Sequence, residues 1–369
     1  MRGPLRRWRR LAAGLAVAGF VPWAAAAPPV TSGAGVSPSL DGPAWLTRIN
    51  GAAGGLNYRG TMVFTADGVV SSSKVAHLCV GDEVYERLQA LDGQLHRVYR
   101  HNETVRTVWP LRRLVVVEPK AVAPGLVSTR RRVEPRALRQ YTLKVLGTSH
   151  VAGRTARQLL LEPTDDLRFV QRLWADEASG LLLRADVVGA DGRVLESSAF
   201  TEVEVGGPGS PKELLDGMAP PAYEVLPSQR EAVDWAAQGW ALREPVPGFE
   251  LQGCVRRPAP SAAGRAEMHA LQAVFSDGMS YVSIFIEPYG EQRHPQALAA
   301  GFGAMHTVMQ RVGDHWITAI GEVPRRTLER FIGALERRVP AAPSAAPPAA
   351  SSAAGPSAGS AAPPAAPPR

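Results

Sequence analysis

Between Asn57 and Val205 the chain is a succession of short β-prone runs separated by turn dipeptides, and this pattern narrows the possible folds more than any other feature. Asp67-Gly68, Asp92-Gly93, Ser179-Gly180 and Asp191-Gly192 each stand between two such runs. These dipeptides reach the positive φ values of tight hairpin turns, so consecutive runs are expected to pair antiparallel. The runs YRGTMVF, KVAHLCV, LVVVE, YTLKVLG, RQLLLEP, LLLRADVVG and RVLESSAFTEVEV together predict a many-stranded sheet that curls or closes. One stretch reads ambiguously. In Val84–Pro110, VYERLQALDGQLHRVYRHNETVRTVWP, a two-residue turn puts Val84, Leu88, Ala90, Leu95 and Tyr99 on one face, with Glu86 and Arg97 among them. Tyr85, Leu91 and Val98 take the other face, interleaved with Arg87, His96 and Arg100. Neither face is plainly core or plainly solvent. A longer turn with a shifted register explains this, and so does a curved sheet whose concave side is only partly filled.

The flanks set the domain organisation. DGPAWLTRINGAAGGLNY predicts a helix capped by Asp41, with Pro43 in its first turn and Trp45, Ile49, Ala52, Ala53 and Leu56 on one apolar face. Such a helix can cover the mouth or the concave face of a curled sheet. Residues 207–235 are dense in Pro and Gly and read as a linker between a first domain at 41–206 and a second at 236–339. In the second, one hairpin turns at Asp277-Gly278, with Val282, Ile284 and Ile286 opposed to Tyr281, Ser283 and Phe285. Another hairpin turns at Gly313-Asp314, and Leu328, Phe331, Ile332 and Leu335 fall at helical spacing, giving an α+β unit. Residues 28–40 form a loose leader, and 340–369 a low-complexity Ala/Pro-rich tail that cannot bury a core.

The first 27 residues have the Arg-rich start, apolar run and small-residue end of a cleaved signal peptide, the run being too short to span a bilayer. Losing its five arginines takes the formal charge from +7 to +2, which removes most of the support for a nucleic-acid partner. Arg130, Arg131 and Arg132 remain as a basic cluster, read as a solvated loop or an anion-facing surface. Cys79 and Cys254, expected in different domains, argue against a disulfide although an oxidising compartment permits one. No cysteine follows the signal directly, so the mature chain is expected to be soluble and without a lipid anchor. Catalytic signatures are absent. The sequence has no GxSxG elbow, P-loop, HExxH or dinucleotide fingerprint, and its eight histidines include no HxH or HxxxH pair for a metal. Asp82-Glu83 and Asp165-Asp166 fit turns better than a pair of catalytic carboxylates. No cofactor is expected. What remains is apolar surface on a curved sheet. Tyr58, Met62, Phe64, Trp109, Tyr141, Leu143, Leu160 and Trp174 are candidates for the lining of an apolar cavity, although each suits ordinary core equally well.

Several long segments carry a family resemblance: LNYRGTMVF (56–64), ERLQALDGQLHRVYR (86–100), HVAGRTARQLLLEPTDDLRFVQRLWAD (150–176) and SGLLLRADVVGADGRVLESSAFTEVEVG (179–206). FSDGMSYVSIFIEP (275–288) and GEVP (321–324) extend it into the second domain. In these the chain resembles the RseB/MucB family of periplasmic regulators of the sigma-E (AlgU-type) envelope-stress response. The resemblance implies an N-terminal unclosed antiparallel β-barrel with a helical lid, like LolA and LolB, and a smaller C-terminal α+β domain. It implies a periplasmic protein that binds an RseA/MucA-type anti-sigma factor and shields it from site-1 cleavage, with lipopolysaccharide or another acylated lipid in the barrel relieving the block. Arg97, Arg100, Arg168, Phe169 and Arg172 are the candidate partner contacts. A homo-oligomer is left open. The segment 120–140, the FVQRLW stretch (169–174) and the Ala/Pro tail depart from the family pattern. The rival readings are a periplasmic lipid or lipoprotein carrier, which the first domain alone would suggest, and a hydrolase, for which no nucleophile or base is found.

Overall fold

A computed structural model of the chain describes residues 40–119, 133–207, 209–258, 269–294 and 296–338. The expected signal peptide, the leader up to residue 39, the tail and the Arg130–Arg132 cluster lie outside the described residues. Helix α1 (Gly42–Gly55) begins at Asp41, whose carboxylate accepts a bond from the Ala44 amide at 2.9 Å. Trp45, Leu46, Ile49, Ala52 and Ala53 form its buried face.

Strands β1 (Tyr58–Ala66), β2 (Val69–Val80), β3 (Glu83–Ala90), β4 (Arg97–His101), β5 (Thr104–Trp109) and β6 (Leu114–Pro119) follow as successive hairpins. After a break come β7 (Tyr141–Val151), β8 (Arg154–Pro163), β9 (Val170–Asp176), β10 (Leu182–Val188) and β11 (Val194–Val205). Strand β11 pairs back onto β1, joining the two runs into one large open sheet whose edges do not meet. This is the unclosed antiparallel architecture that the resemblance implied.

The ambiguous hairpin resolves as a longer turn. Ala90 donates to the His96 carbonyl at 3.1 Å, leaving Leu91 to Leu95 as the loop. Tyr85 therefore pairs with His101, Glu86 with Arg100, Arg87 with Tyr99 and Leu88 with Val98. Partners across an antiparallel pair share a face, so moving the register by one position sends Arg100 to the face of Glu86 and Arg97 to that of Arg87.

The Pro/Gly-rich stretch after β11 is not a bare tether. It holds a short helix α2 (Pro211–Leu214), then β12 (Glu224–Pro227), which adds to β6 in parallel, and β13 (Glu231–Ala232), which opens the second sheet. Its apolar residues pack on the sheet. Leu214 meets Leu78 and Tyr85, while Leu215, Met218 and Tyr223 meet Tyr99, Val108 and Val115.

The second sheet runs β13-β15-β16-β17-β20-β19-β18, built from β15 (Glu250–Pro258), β16 (His269–Ser276), β17 (Tyr281–Pro288), β18 (Leu298–Phe302), β19 (Met305–Val312) and β20 (His315–Gly321). Helix α3 (Arg325–Ala334) lays Leu328, Phe331 and Ile332 on it. The helix stops earlier than its apolar spacing suggests, because Leu335 starts β21 (Leu335–Arg337), which pairs with β14 (Trp240–Leu242). Cys254 lies in this core, where burial, with Asp234 nearby, pushes its thiol up to about 11. Cys79 lies on β2 of the first sheet and is not bridged to it.

The two sheets exchange side chains. Leu167, from the β8–β9 loop, belongs to the core of the second sheet, and Met279, from the β16–β17 turn, to that of the first. Between them Arg168 is fully buried. Its guanidinium pairs with Asp165, lies 2.6 Å from the equally buried Asp277 and donates to the Pro247 carbonyl at 2.5 Å. Gly278 sits in the left-handed region at φ 95°, where an added Cβ would meet Arg136 and Glu134 at about 3 Å. From that position its carbonyl accepts a bond from the Glu134 amide at 2.9 Å.

Candidate functional site

The face of the first sheet under α1 is the surface where a ligand-sized feature was expected. α1 crosses it obliquely. At its start, Gly42 approaches Leu143 of β7 so closely that a Cβ would lie 2.7 Å from a leucine methyl. At its end, the Gly54 carbonyl accepts from the Cys79 thiol of β2 at 3.2 Å. Beneath it, Trp45, Leu46 and Ile49 pack on Tyr141, Leu159, Leu161, Leu173 and Ala185, while Leu143 joins from the margin. That half of the face is filled core.

Register extends the face across the sheet. Leu159 pairs with Leu173, Leu173 with Ala185, Ala185 with Ser198 and Ser198 with Phe64. Phe64 and Met62 are therefore on the helix-covered side but only half buried. Next to them Tyr58 and Phe200 meet edge to face at 6.0 Å, and Met62 packs on this second apolar patch. Phe200, which pairs directly with Met62, was not singled out from the sequence. Only its position two residues from Ser198 in the alternation of β11 could have pointed to it.

Beyond Tyr58 the face turns polar. Tyr58 pairs with His77, His77 with Glu86 and Glu86 with Arg100, a row running straight across four strands. The Tyr58 and His77 rings stack at 5.3 Å, and His77 Nδ1 lies 2.5 Å from the Leu56 carbonyl. Glu86 accepts from Arg100 at 3.0 Å, with both side chains largely buried. A carboxylate, a guanidinium and an imidazole thus stand inside the sheet next to aromatic surface. These groups are satisfied within the fold, Glu86 by Arg100 and Arg100 in turn by the Asn102 carbonyl, to which its Nε donates at 2.8 Å.

The expected lining residues separate accordingly. Tyr58, Met62 and Phe64 line the part of the face beyond the helix-packed core, while Tyr141 and Leu143 belong to the core beneath α1. Leu160 pairs with Arg172 and Lys144, and Trp174 with Gln158 and Arg184, so both stand on the opposite face from Leu159 and Leu173. The Arg184 guanidinium lies 4.6 Å from the Trp174 ring. Leu160 therefore leaves the lining, because a one-residue offset in a strand reverses the side a residue faces, whereas Trp174 still packs in the same apolar cluster as Tyr58, Phe200 and Met62. Trp109 lies at the rim, stacked on His96 at 5.1 Å.

The expected partner contacts separate too. Arg100 is held inside by Glu86 and is not presented on an outer surface, and Arg168 is enclosed at the junction of the sheets with no exposed side-chain surface. Phe169 is buried against Val187 and Ala304, with the His306 ring 6.0 Å away. Arg97 and Arg172 are partly exposed. Arg97 lies on the face covered by the 209–223 stretch, where Tyr99 donates to the Asp216 carbonyl at 2.7 Å. Two pockets lie elsewhere. One of about 470 Å³ is lined by Trp240, His315 and Arg337, and burial together with Arg337 holds the His315 imidazole below its ordinary value. The other, about 340 Å³, lies between Val116, Leu226 and Arg257, where the two sheets adjoin. Among the described residues there is no group of three or more metal-ligating side chains.

The similarities of the chain to known proteins cover both sheets. The family model for the MucB/RseB N-terminal domain matches residues 41–222, and that for the MucB/RseB C-terminal domain matches 234–336. The first match includes residues 209–222 of the cover, a stretch that reads as a linker by composition. The sigma factor AlgU regulatory protein MucB of Pseudomonas aeruginosa is 27% identical over 322 residues, spanning 82% of this chain and 93% of its own length. The sigma-E factor regulatory protein RseB of Haemophilus influenzae is 24% identical over 298 residues, spanning 79% and 90%. A solved MucA/MucB complex from Pseudomonas aeruginosa contains a chain that superposes with a TM-score of 0.62 at 25% identity, over 80% of this chain and 98% of that one. With both of its sheets matched in order by the two domain models, this chain belongs to the MucB/RseB family.

Proposed function

We propose that this chain is a periplasmic regulator that binds the periplasmic part of a membrane-spanning anti-sigma factor of the RseA/MucA type. By covering it, the chain withholds the site-1 cleavage that would free the sigma factor. The observation that carries this reading is the union of the two sheets. The chain spans nearly the full length of regulators of this kind, and its second sheet is locked to the first through Arg168 and Asp277. A lipid or lipoprotein carrier would need only the first sheet. An acylated lipid such as lipopolysaccharide is the antagonist in this reading. Its chain would lie along Tyr58, Met62, Phe64 and Phe200, and its charged group near Glu86 and Arg100.

The two ligands are then thermodynamically linked: a lipid that prefers the uncomplexed chain weakens the partner by the factor that the partner weakens the lipid, roughly 5- to 150-fold. Calorimetric titration of the full chain with the soluble periplasmic segment of the anti-sigma factor, with and without lipopolysaccharide, tests both halves. Absence of binding would remove the regulator reading. Binding that lipopolysaccharide leaves unchanged would remove the antagonist while keeping the partner.

A further inference from the structure

Three neighbouring hairpin tips of the first sheet carry apolar side chains into solvent. The β1–β2 tip presents Val69 and Val70 at 50% and 64% exposure, the β3–β4 tip Leu91 and Leu95 at 40% and 47%, and the β5–β6 tip Leu111 at 82% beside Trp109. The tips form one continuous rim. Leu91 donates to the Ser72 carbonyl at 3.0 Å, and the Asp92 carboxylate takes both the amide and the hydroxyl of Ser72 at 2.8 and 2.6 Å. On the other side His96 stacks on Trp109 at 5.1 Å.

The β5–β6 tip is held in shape. Pro110 opens a 3-10 turn, Arg113 closes it at φ 50°, and the Arg113 amide donates to the Pro110 carbonyl at 3.2 Å. A non-glycine residue held at positive φ costs free energy, and Leu111 within this turn is the most exposed apolar side chain of the three tips.

The charges on this rim are unequal in availability. Asp92 is spent on Ser72, and Asp67 accepts from the Gly303 amide at 2.5 Å. Arg112 and Arg113 flank Leu111, with the Arg112 guanidinium 5.7 Å from the Trp109 ring. Contiguous apolar surface on a folded chain marks an interaction site. This one consists of protruding tips, each with little surface of its own, rather than a groove that a rigid partner could fill. Leucine and valine at the tips, with tryptophan and arginine behind them, match the boundary between acyl chains and anionic headgroups.

We propose that the β1–β2, β3–β4 and β5–β6 tips dock the chain on an anionic lipid bilayer, separately from any acyl chain held along Tyr58 and Phe200. The test is co-sedimentation of the full chain with vesicles of phosphatidylglycerol and phosphatidylethanolamine, and with vesicles of phosphatidylcholine alone, with no protein partner present. The chain should sediment with the anionic vesicles and much less with the neutral ones. Leu95→Asp with Leu111→Asp should lower the partition by about tenfold or more, the equivalent of withdrawing leucine-sized side chains from an apolar medium. Leu111→Trp should raise it. Leu298→Asp, at a comparably exposed position on the edge strand of the second sheet, should leave it unchanged. Every variant carries the same N-terminal apolar run, so differences among them read the tips alone. Failure of the unaltered chain to bind anionic vesicles would overturn the proposal and leave the rim to a protein partner. Equal losses from Leu298→Asp, or none from the double variant, would overturn it as well.

Discussion

The two sheets bury their apolar side chains in different ways. The second is covered by α3, and among the described residues its core is one continuous cluster from Trp235 through Phe275 and Ile317 to Phe331. The first sheet is larger and is covered on one face by α1 and on the other by the 209–223 stretch, yet its buried apolar residues form several separate clusters. Helix composition accounts for part of this. α3 supplies Leu328, Phe331 and Ile332 within two turns, whereas α1 after Ile49 has Asn50 and then only Gly and Ala. A helix so thin at one end approaches the sheet closely but fills little volume. The polar row from His77 to Arg100 occupies the face where the apolar packing stops. The second sheet is packed as one unit, and the first as several.

The largest expected effect comes from cutting the tie between them. Arg168→Met leaves Asp277 buried without its cation, a loss of about 3–5 kcal/mol by denaturant unfolding. A single unfolding transition that becomes two would show that the sheets are separately stable once untied; one that stays single would show a coupling that does not depend on this ion pair. Next comes a matched pair of truncations. Leu328→Ala in the continuous core should cost about 2–5 kcal/mol, and Leu143→Ala at the margin of α1 about 1 kcal/mol or less. Equal costs would erase the contrast between the two cores.

The smallest effect concerns the ion pairs at the strand ends of the first sheet. Burial alone would raise the Asp176 carboxyl, but the Arg154 guanidinium at 2.9 Å and two bonds from Ser179 outweigh it and hold it below the ordinary value. A carboxyl depressed in the folded state stabilises above its unfolded value and loses that contribution as pH falls through the folded one. Unfolding of the parent and of Asp176→Asn should therefore differ near neutrality and converge below about pH 4. A difference that persists in acid would mean that Asp176 acts through packing rather than charge.

How far the sequence revealed this molecule depended on the range of the interaction involved. Turn dipeptides and the Asp41 cap are local, and they gave α1, the hairpins at Asp277-Gly278 and Gly313-Asp314 of the second sheet and the antiparallel order of the first. Facing is not local. The extra residues in the β3–β4 turn reversed the sides of Arg97 and Arg100, and no propensity in the loop LDGQL distinguishes the two registers. The junction was hidden for a different reason. Arg168 and Asp277 lie 109 positions apart, and a buried ion pair has the same composition as a solvated one. Likewise the 209–223 stretch reads as a linker from its prolines and glycines, while Leu214, Leu215 and Met218 are too sparse to signal a cover. Of the candidate lining, the residues on β1 share the face expected of them, because alternation within one strand needs no knowledge of its neighbours.

Strand β12 bears on how the protein behaves in a crowded compartment. An open sheet ends in two strands whose outer backbone groups invite pairing with another chain. By running parallel to β6, β12 occupies one of these borders with a segment of the same molecule, donating from Glu224 to the Arg113 carbonyl and from Ser228 to Val117. The opposite border is β7, eleven residues long, where the pairing with β8 slips between Val145 and Thr148. That irregularity bends the strand and makes it a poorer template. The connection between the sheets thus also serves as a selvedge, and a chain shortened through 224–227 would expose β6 and be expected to aggregate.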